Sequence, residues 1–199
     1  SFFVRHLRGA IGAGRARWLR VRCLLFRRTL AFDLQETTSI MALKVSVSGI
    51  RGIVGETLDA ESVARWASAF GQWLPPGPVV LARDSRPSGP MFAAAAEAAL
   101  ASTGHDVVRA GILSTPGTEY LVQETDAVGG IIVTASHNPV QWNALKLLRG
   151  DGLFLTGPEV AELQKIHDAD ARKHVGALEL GSSRDDDRGN ALHRAAILA

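Results

Sequence analysis

The 199-residue chain has little cysteine and no long apolar run. Its one cysteine, Cys23, excludes an internal disulfide framework and is compatible with the reducing cytoplasm, where we expect the protein to reside. No uninterrupted apolar stretch approaches the roughly 18 residues that a membrane-spanning helix needs, so we expect no membrane partner. With 46% hydrophobic and 21% charged residues, the composition is that of a globular protein.

Acidic residues are absent before Asp33, whereas the same stretch contains eight arginines. The formal net charge of +2 is therefore unevenly distributed along the chain. Without these eight arginines, 14 of the 22 Lys and Arg residues remain, against 20 Asp and Glu. The basic character belongs to the first residues and not to the remainder of the chain. For this reason we predict no nucleic-acid partner.

Residues 1–40, the basic leader, have three possible interpretations and are not expected to belong to the fold. An arginine-rich stretch without acids can be an organellar transit peptide, or a basic helix that binds a surface. Alternatively, Met41 is the true start and the preceding residues are upstream sequence translated in frame. The chain begins with Ser1, and regular strand and helix patterns begin just after Met41, which favours the third interpretation.

From residue 41 onward, short apolar runs alternate with helical patterns. Such alternation predicts an α/β fold with a mixed, mainly parallel sheet flanked by helices, in one domain over residues 41–175. Asp59 is predicted to cap a helix, and Thr156 with Glu159 matches a capping box. Residues 176–199 are interpreted as a loop, solvated over 181–190, followed by the start of a connecting helix.

The most informative stretch runs from Gly129 to Pro139. Its apolar β-branched part predicts a buried strand, and Pro139 disfavours the helical region for the residue before it. The chain must then leave the sheet as an extended turn, which puts Ser136 and His137 at the mouth of the sheet, where open α/β folds bind ligands. On spacing alone, a polar turn without chemistry remains an equally good interpretation.

Residues 134–139, Thr-Ala-Ser-His-Asn-Pro, resemble the active-site serine loop of the α-D-phosphohexomutases, the family of phosphoglucomutase, phosphomannomutase and phosphoglucosamine mutase. Two further segments resemble that family in the same order. Residues 48–52, Ser-Gly-Ile-Arg-Gly, are similar to its first glycine-arginine loop, and residues 83–89 are similar to its second strand-to-helix turn. The resemblance covers approximately residues 41 to 166.

The resemblance implies that Ser136 carries a phosphate and exchanges it with a hexose phosphate through a bisphosphorylated sugar. The products would be hexose 6-phosphate and hexose 1-phosphate, with phosphoglucosamine, phosphomannose and phosphoglucose as candidates. It further implies catalytic roles for Ser136, for Lys146 in proton transfer or as a fixed charge, and for Arg51 on the transferring oxygens. The residues expected to bind substrate are His137, Asn138 and Arg83. For Arg86 we prefer a structural ion pair with Asp84.

The family also implies Mg²⁺, held partly by the phosphate on Ser136 and partly by an Asp-Gly-Asp-x-Asp-Arg loop in a second domain. That pattern is absent, since Asp185, Asp186 and Asp187 are consecutive and cannot easily converge on one ion. We therefore expect this chain to be the first of four domains and to be inactive alone. Its expected partners are the remaining domains and hexose phosphates or bisphosphates. The alternative is a non-catalytic binding or regulatory remnant, or a truncated gene product, with the same fold. The family usually has glycine at the position of Ala144. This chain therefore departs from the family pattern two residues before Lys146.

Overall fold

The computed structural model describes residues 43–170 and 173–199, so the interpretations of the basic leader lie outside the described residues. The described residues form seven strands and five helices. The strands are β1 (Lys44–Ser46), β2 (Gly49–Ile53), β3 (Val79–Arg83), β4 (Val107–Ile112), β5 (Gly129–Val133), β6 (Trp142–Arg149) and β7 (Ser183–Asp185). The helices are α1 (Ala60–Trp73), α2 (Gly89–Ser102), α3 (Thr115–Gln123), α4 (Gly157–Asp168) and α5 (Gly189–Leu198). Within these ranges, no helix combines the length and the apolar character that crossing a bilayer requires.

All seven strands belong to one sheet in the order β1-β2-β6-β5-β3-β4-β7. Strands β5, β3, β4 and β7 pair in parallel, whereas β1, β2, β6 and β5 pair antiparallel. The predicted α/β fold with a mixed sheet flanked by helices is confirmed. Three strand pairs are parallel and three are antiparallel, so the sheet is not mainly parallel. Strand β6 runs antiparallel to β5, because the short loop between them leaves no room for a crossover.

Alternate residues of the strands form two apolar cores on opposite faces of the sheet. Leu81 and Ile131 belong to the larger core, which also contains Phe70 of α1, Phe92 of α2 and Leu163 of α4. The smaller core is formed by strand residues of the other parity together with α3, and Leu192 of α5 packs against it. The central strands are therefore buried on both faces, which explains why their sequences are continuously apolar.

Two of the predicted helix starts are confirmed by their hydrogen bonds. The side chain of Asp59 accepts a hydrogen bond from the backbone N–H of Ser62 at 2.7 Å. A carboxylate oxygen of Glu159 accepts from the backbone N–H of Thr156 at 2.6 Å, which completes the predicted capping box. The helix α2 follows Ser88, whose side chain makes no cap hydrogen bond.

The interpretation of residues 181–190 as a solvated loop was wrong. Residues 183–185 form β7, which pairs in parallel with β4 at the edge of the sheet. The carboxylate of Asp106 fixes the approach to this strand by accepting hydrogen bonds from the N–H and the hydroxyl of Ser182, both at 2.7 Å. Because all three side chains of β7 are exposed, the strand has no apolar pattern that a sequence-based prediction could detect.

Replacing Asp186 with asparagine is expected to lower the free energy of unfolding by about 1 kcal/mol at neutral pH. The buried carboxylate binds the guanidinium of Arg188 at 2.5 Å, and this hydrogen bond lowers the pKa of Asp186 from its ordinary value. A depressed pKa means that the stabilisation is present above the unfolded pKa and is lost as the pH falls through the folded pKa.

Urea denaturation of wild type and of D186N at several values between neutral pH and about pH 3 measures this effect. The difference between the two proteins should shrink as the pH falls. The exposed neighbour Asp187 supplies the control, and D187N should lose much less stability than D186N at neutral pH. Equal losses in D186N and D187N would contradict the assignment.

Candidate active site

Ser136 lies in the loop that joins β5 to β6, and we call residues 134–141 the serine loop. The loop leaves the sheet at the carboxyl end of β5, and the backbone N–H of Thr134 still bonds the carbonyl of Ala144 on β6 at 3.0 Å. Ser136 has a φ of 55° and an exposed side chain. The predicted position of Ser136 and His137 at the mouth of the sheet is confirmed.

Thr134 links the serine loop to the turn that follows β3. Its hydroxyl donates to a carboxylate oxygen of Asp84 at 2.6 Å and accepts from the backbone N–H of Ser136 at 3.0 Å. The other carboxylate oxygen of Asp84 accepts from the backbone N–H of Arg86 at 3.0 Å. The two loops are therefore connected through polar groups that the strand ends bring together.

Arg86 contacts the serine loop directly. Its Nε donates to Asp84 at 3.1 Å, which confirms the predicted ion pair. Its terminal nitrogens also donate to four backbone carbonyl oxygens, those of Ser136 (2.8 Å), Asn138 (2.7 Å), Pro139 (2.9 Å) and Trp142 (3.0 Å). These four contacts have no sequence signature, because backbone carbonyls are present at every residue.

His137 and Asn138 flank the serine on its C-terminal side. The Nδ1 of His137 lies 3.5 Å from the Oγ of Ser136, at the outer limit of a hydrogen bond. The side-chain amide of Asn138 donates to the carbonyl of Ala135 at 2.9 Å, inside the loop itself. The Oγ of Ser136 makes no other hydrogen bond within the described residues, so its hydroxyl is available to react. Substrate binding by His137 and Asn138 stays a prediction.

Arg51 lies on β2, opposite Ala144 of β6. Gly49, at the start of the same strand, has a φ of 114°, and its Cα lies so close to β6 that a side chain would meet the carbonyl of Leu145. Arg51 is half-buried, and its guanidinium makes no hydrogen bond or ion pair with any residue that the structure describes. The guanidinium is therefore free to bind an anion.

Lys146 lies on β6, opposite Ile132 of β5. Its ammonium group is 5.2 Å from the centre of the Phe154 ring, a cation–π distance. Burial raises the pKa of Glu119 on α3, and the positive charge of Lys146 partly opposes that rise. In the part of the chain that the structure describes, no hydrogen bond joins Lys146 to the serine loop, so its catalytic role stays a prediction.

The family model described as phosphoglucomutase/phosphomannomutase, alpha/beta/alpha domain I, matches residues 42–174. The chain belongs to this family. The resemblance inferred from the three motifs is confirmed, and the part of the family that the chain contains is domain I.

Curated and solved relatives agree with this assignment. The chain is 37% identical over 144 residues to a phosphoglucosamine mutase of Macrococcus caseolyticus, and this match covers 69% of the chain and 32% of the relative. It is 34% identical over 150 residues to a probable phosphoglucosamine mutase of Thermococcus kodakarensis, covering 75% of the chain and 33% of the relative. A crystal structure of a phosphoglucomutase/phosphomannomutase family protein from Burkholderia thailandensis superposes with a TM-score of 0.63 at 31% identity, covering 74% and 35% of the two chains. The chain thus spans about a third of the length of the curated relatives that it matches.

Arg83, the last residue of β3, lies at the same edge of the domain I sheet as the serine loop. It is half-buried and donates to the carbonyl of Asp84 at 3.1 Å. Arg83 also lines a cavity of about 360 Å³ beside β4 and β7, whose lining does not include Ser136. In that cavity Arg109 is already paired with Asp185 at 2.8 Å and with Glu97 at 3.3 Å. The predicted contact of Arg83 with substrate stays a prediction.

Among residues 43–170 and 173–199, no group of three or more His, Cys, Asp or Glu side chains is arranged to hold a metal ion. Asp185 binds Arg109, and Asp186 binds Arg188, so these carboxylates are directed at arginines. The described residues of this domain I therefore do not fit a complete Mg²⁺ site. The predicted contribution of a phosphate on Ser136 to Mg²⁺ binding stays a prediction.

Proposed function

We propose that this chain is the serine-bearing domain of a phosphohexomutase that interconverts hexose 6-phosphate and hexose 1-phosphate. The observation that carries the proposal is the hydroxyl of Ser136, which is exposed and nearly free of partners on a loop that is held by several hydrogen bonds. The relatives are named as phosphoglucosamine mutases, so glucosamine phosphates are the first substrates to test, ahead of mannose and glucose phosphates.

In the proposed reaction, the Oγ of Ser136 attacks a phosphoryl group of the bisphosphorylated sugar. The new Oγ–P bond forms as the bond between phosphorus and the sugar oxygen breaks, and the serine proton is transferred to that leaving oxygen. A hexose monophosphate is released. In the reverse direction, a free hydroxyl of the bound sugar takes the phosphoryl group from phosphoserine, which regenerates the bisphosphate.

Positioning and charge stabilisation supply most of the rate in such transfers. Arg51 would bind the transferring oxygens, because its planar set of donors matches a phosphoryl group and is not committed to any described partner. Lys146 would transfer the proton or fix charge near the sugar hydroxyl. To do so, its ammonium group must leave the Phe154 ring, a movement that the long lysine side chain permits.

The remaining domains of the protein are the proposed partners of this chain. They would supply the carboxylates for Mg²⁺, since the described residues do not fit a complete metal site, and they would supply the contacts that select the sugar. The chain by itself is accordingly proposed to have no mutase activity.

A chimera tests the proposal. Residues 42–174 replace the corresponding segment of the Macrococcus caseolyticus phosphoglucosamine mutase, and the purified chimera is incubated with glucosamine 1,6-bisphosphate and Mg²⁺. Peptide mass spectrometry should locate a phosphate on Ser136, and added hexose monophosphate should remove it. A chimera that melts cooperatively but never gains phosphate on Ser136 would overturn the proposal and favour a non-catalytic domain. The unmodified relative is the control.

A further inference from the structure

We propose that Arg86 is the positioning residue of the serine loop, and that it aims the Oγ of Ser136 without touching substrate or phosphate. The inference rests on the proposed function for its effect on phosphoryl transfer. Its effect on the conformation of the loop does not depend on that function.

The donors of Arg86 are fully used inside the protein. A guanidinium has five N–H donors, one on Nε and two on each terminal nitrogen. Nε donates to Asp84, one terminal nitrogen donates to the carbonyls of Pro139 and Trp142, and the other donates to those of Ser136 and Asn138. Five acceptors thus match five donors, which leaves none for a phosphate. The side chain is 12% exposed, so solvent and ligands have little access to it.

The four carbonyls extend from Ser136 within the serine loop to Trp142, the first residue of β6. One planar group therefore fixes their relative positions. The positive charge of the guanidinium also offsets the partial negative charge of these carbonyl oxygens. They therefore repel an incoming phosphoryl group less than unpaired carbonyl oxygens would. Lysine has the charge of arginine but only three donors on one compact nitrogen, so it cannot replace this set of contacts.

The backbone of Ser136 needs such a restraint. A φ of 55° is uncommon for a residue with a side chain and persists when the surroundings hold it in place. The N–H of Ser136 is held by the hydroxyl of Thr134, and its carbonyl is held by Arg86. Asp84 bonds both Thr134 and Arg86, so the two restraints share one anchor.

Amide hydrogen exchange of the full chain, followed by mass spectrometry, tests the conformational part. In R86K, peptides that cover residues 134–142 should exchange about 10- to 100-fold faster than in wild type, as expected for the loss of charged hydrogen bonds. Peptides from β5 should keep their protection. The matched control is R109K, which alters an arginine paired with Glu97 and Asp185 and should leave the serine loop unchanged. Unchanged exchange in the loop of R86K would overturn the proposal.

If R86K does not fold, T134V provides the second test. It keeps Arg86 but removes the link from Asp84 to the N–H of Ser136, and exchange in residues 134–138 should again accelerate by about tenfold. Wild-type exchange in the loop of a folded T134V would contradict the role of this network.

The chimera described above tests the catalytic part. R86K in that chimera should lower kcat by about 10- to 100-fold with little change in KM, because Arg86 contacts the loop and not the sugar. A rise in KM with kcat unchanged would mean that Arg86 binds substrate and would overturn the positioning role. If the chimera with the wild-type arginine is never phosphorylated, the proposed function fails, while the exchange measurements still decide whether Arg86 holds the loop.

Discussion

Ser136→Ala is expected to abolish phosphate incorporation into the chimera while leaving the free energy of unfolding within about 0.5 kcal/mol of wild type. The Oγ of Ser136 has one contact in the described residues, with the Nδ1 of His137 at 3.5 Å, so its removal breaks no strong hydrogen bond. The serine loop is held by its backbone and by the side chains of Thr134 and Arg86, all of which the substitution keeps. The change should therefore remove the chemistry and keep the fold.

Peptide mass spectrometry and urea denaturation of the same preparations measure both halves of this expectation. Ser88→Ala is the matched control with the opposite result. The hydroxyl of Ser88 accepts a hydrogen bond from the buried side chain of Asn143 at 2.8 Å, so its loss should destabilise the fold by about 1–3 kcal/mol and leave phosphate on Ser136. Phosphate retained in the S136A chimera would mean that another residue accepts it.

Gly49→Ala is expected to have the largest effect on stability, a loss of about 3–5 kcal/mol. Gly49 has a φ of 114°, a conformation that residues with side chains rarely adopt. A Cβ at this position would also lie 2.2 Å from the carbonyl oxygen of Leu145 and 3.1 Å from the Cα of Lys146. Both neighbours are backbone atoms of β6, so they cannot rotate away. The strands β2 and β6 would have to separate, which would displace Arg51 and Lys146 together.

Gly55→Ala separates the two causes. Gly55 also has a positive φ, 80°, but a Cβ there would meet nothing within 4 Å. Its replacement should therefore show only the conformational penalty, about 1–2 kcal/mol. Thermal or urea denaturation of both variants measures the difference. Equal losses would show that the close approach of β2 to β6 is not the reason for glycine at position 49.

Local patterns in the sequence were sufficient for most of the fold. The apolar runs of β3 and β5 are buried on both sheet faces, and burial is what makes a strand continuously apolar. The caps at Asp59 and Thr156 are contacts between residues three positions apart, so their spacing predicts them directly. Strand β7 escaped prediction because an edge strand with exposed side chains is stabilised by backbone pairing, which leaves no trace in residue type.

The candidate site likewise contains some features that the local sequence predicts and others that only the tertiary structure reveals. The three motifs together were sufficient to identify the family, and the apolar run before Ser136 was sufficient to place the serine beyond a buried strand, because the residue types and their order carry that information. The role of Arg86 depends on five acceptors, four of which are backbone carbonyls more than 49 positions away in the chain. Only the folded sheet, in which β3 lies beside β5 and β5 beside β6, brings these groups to one guanidinium. The sequence determines which residues the chain contains and in which order. In the folded protein, the need of buried polar groups for hydrogen-bond partners decides which of these residues contact each other.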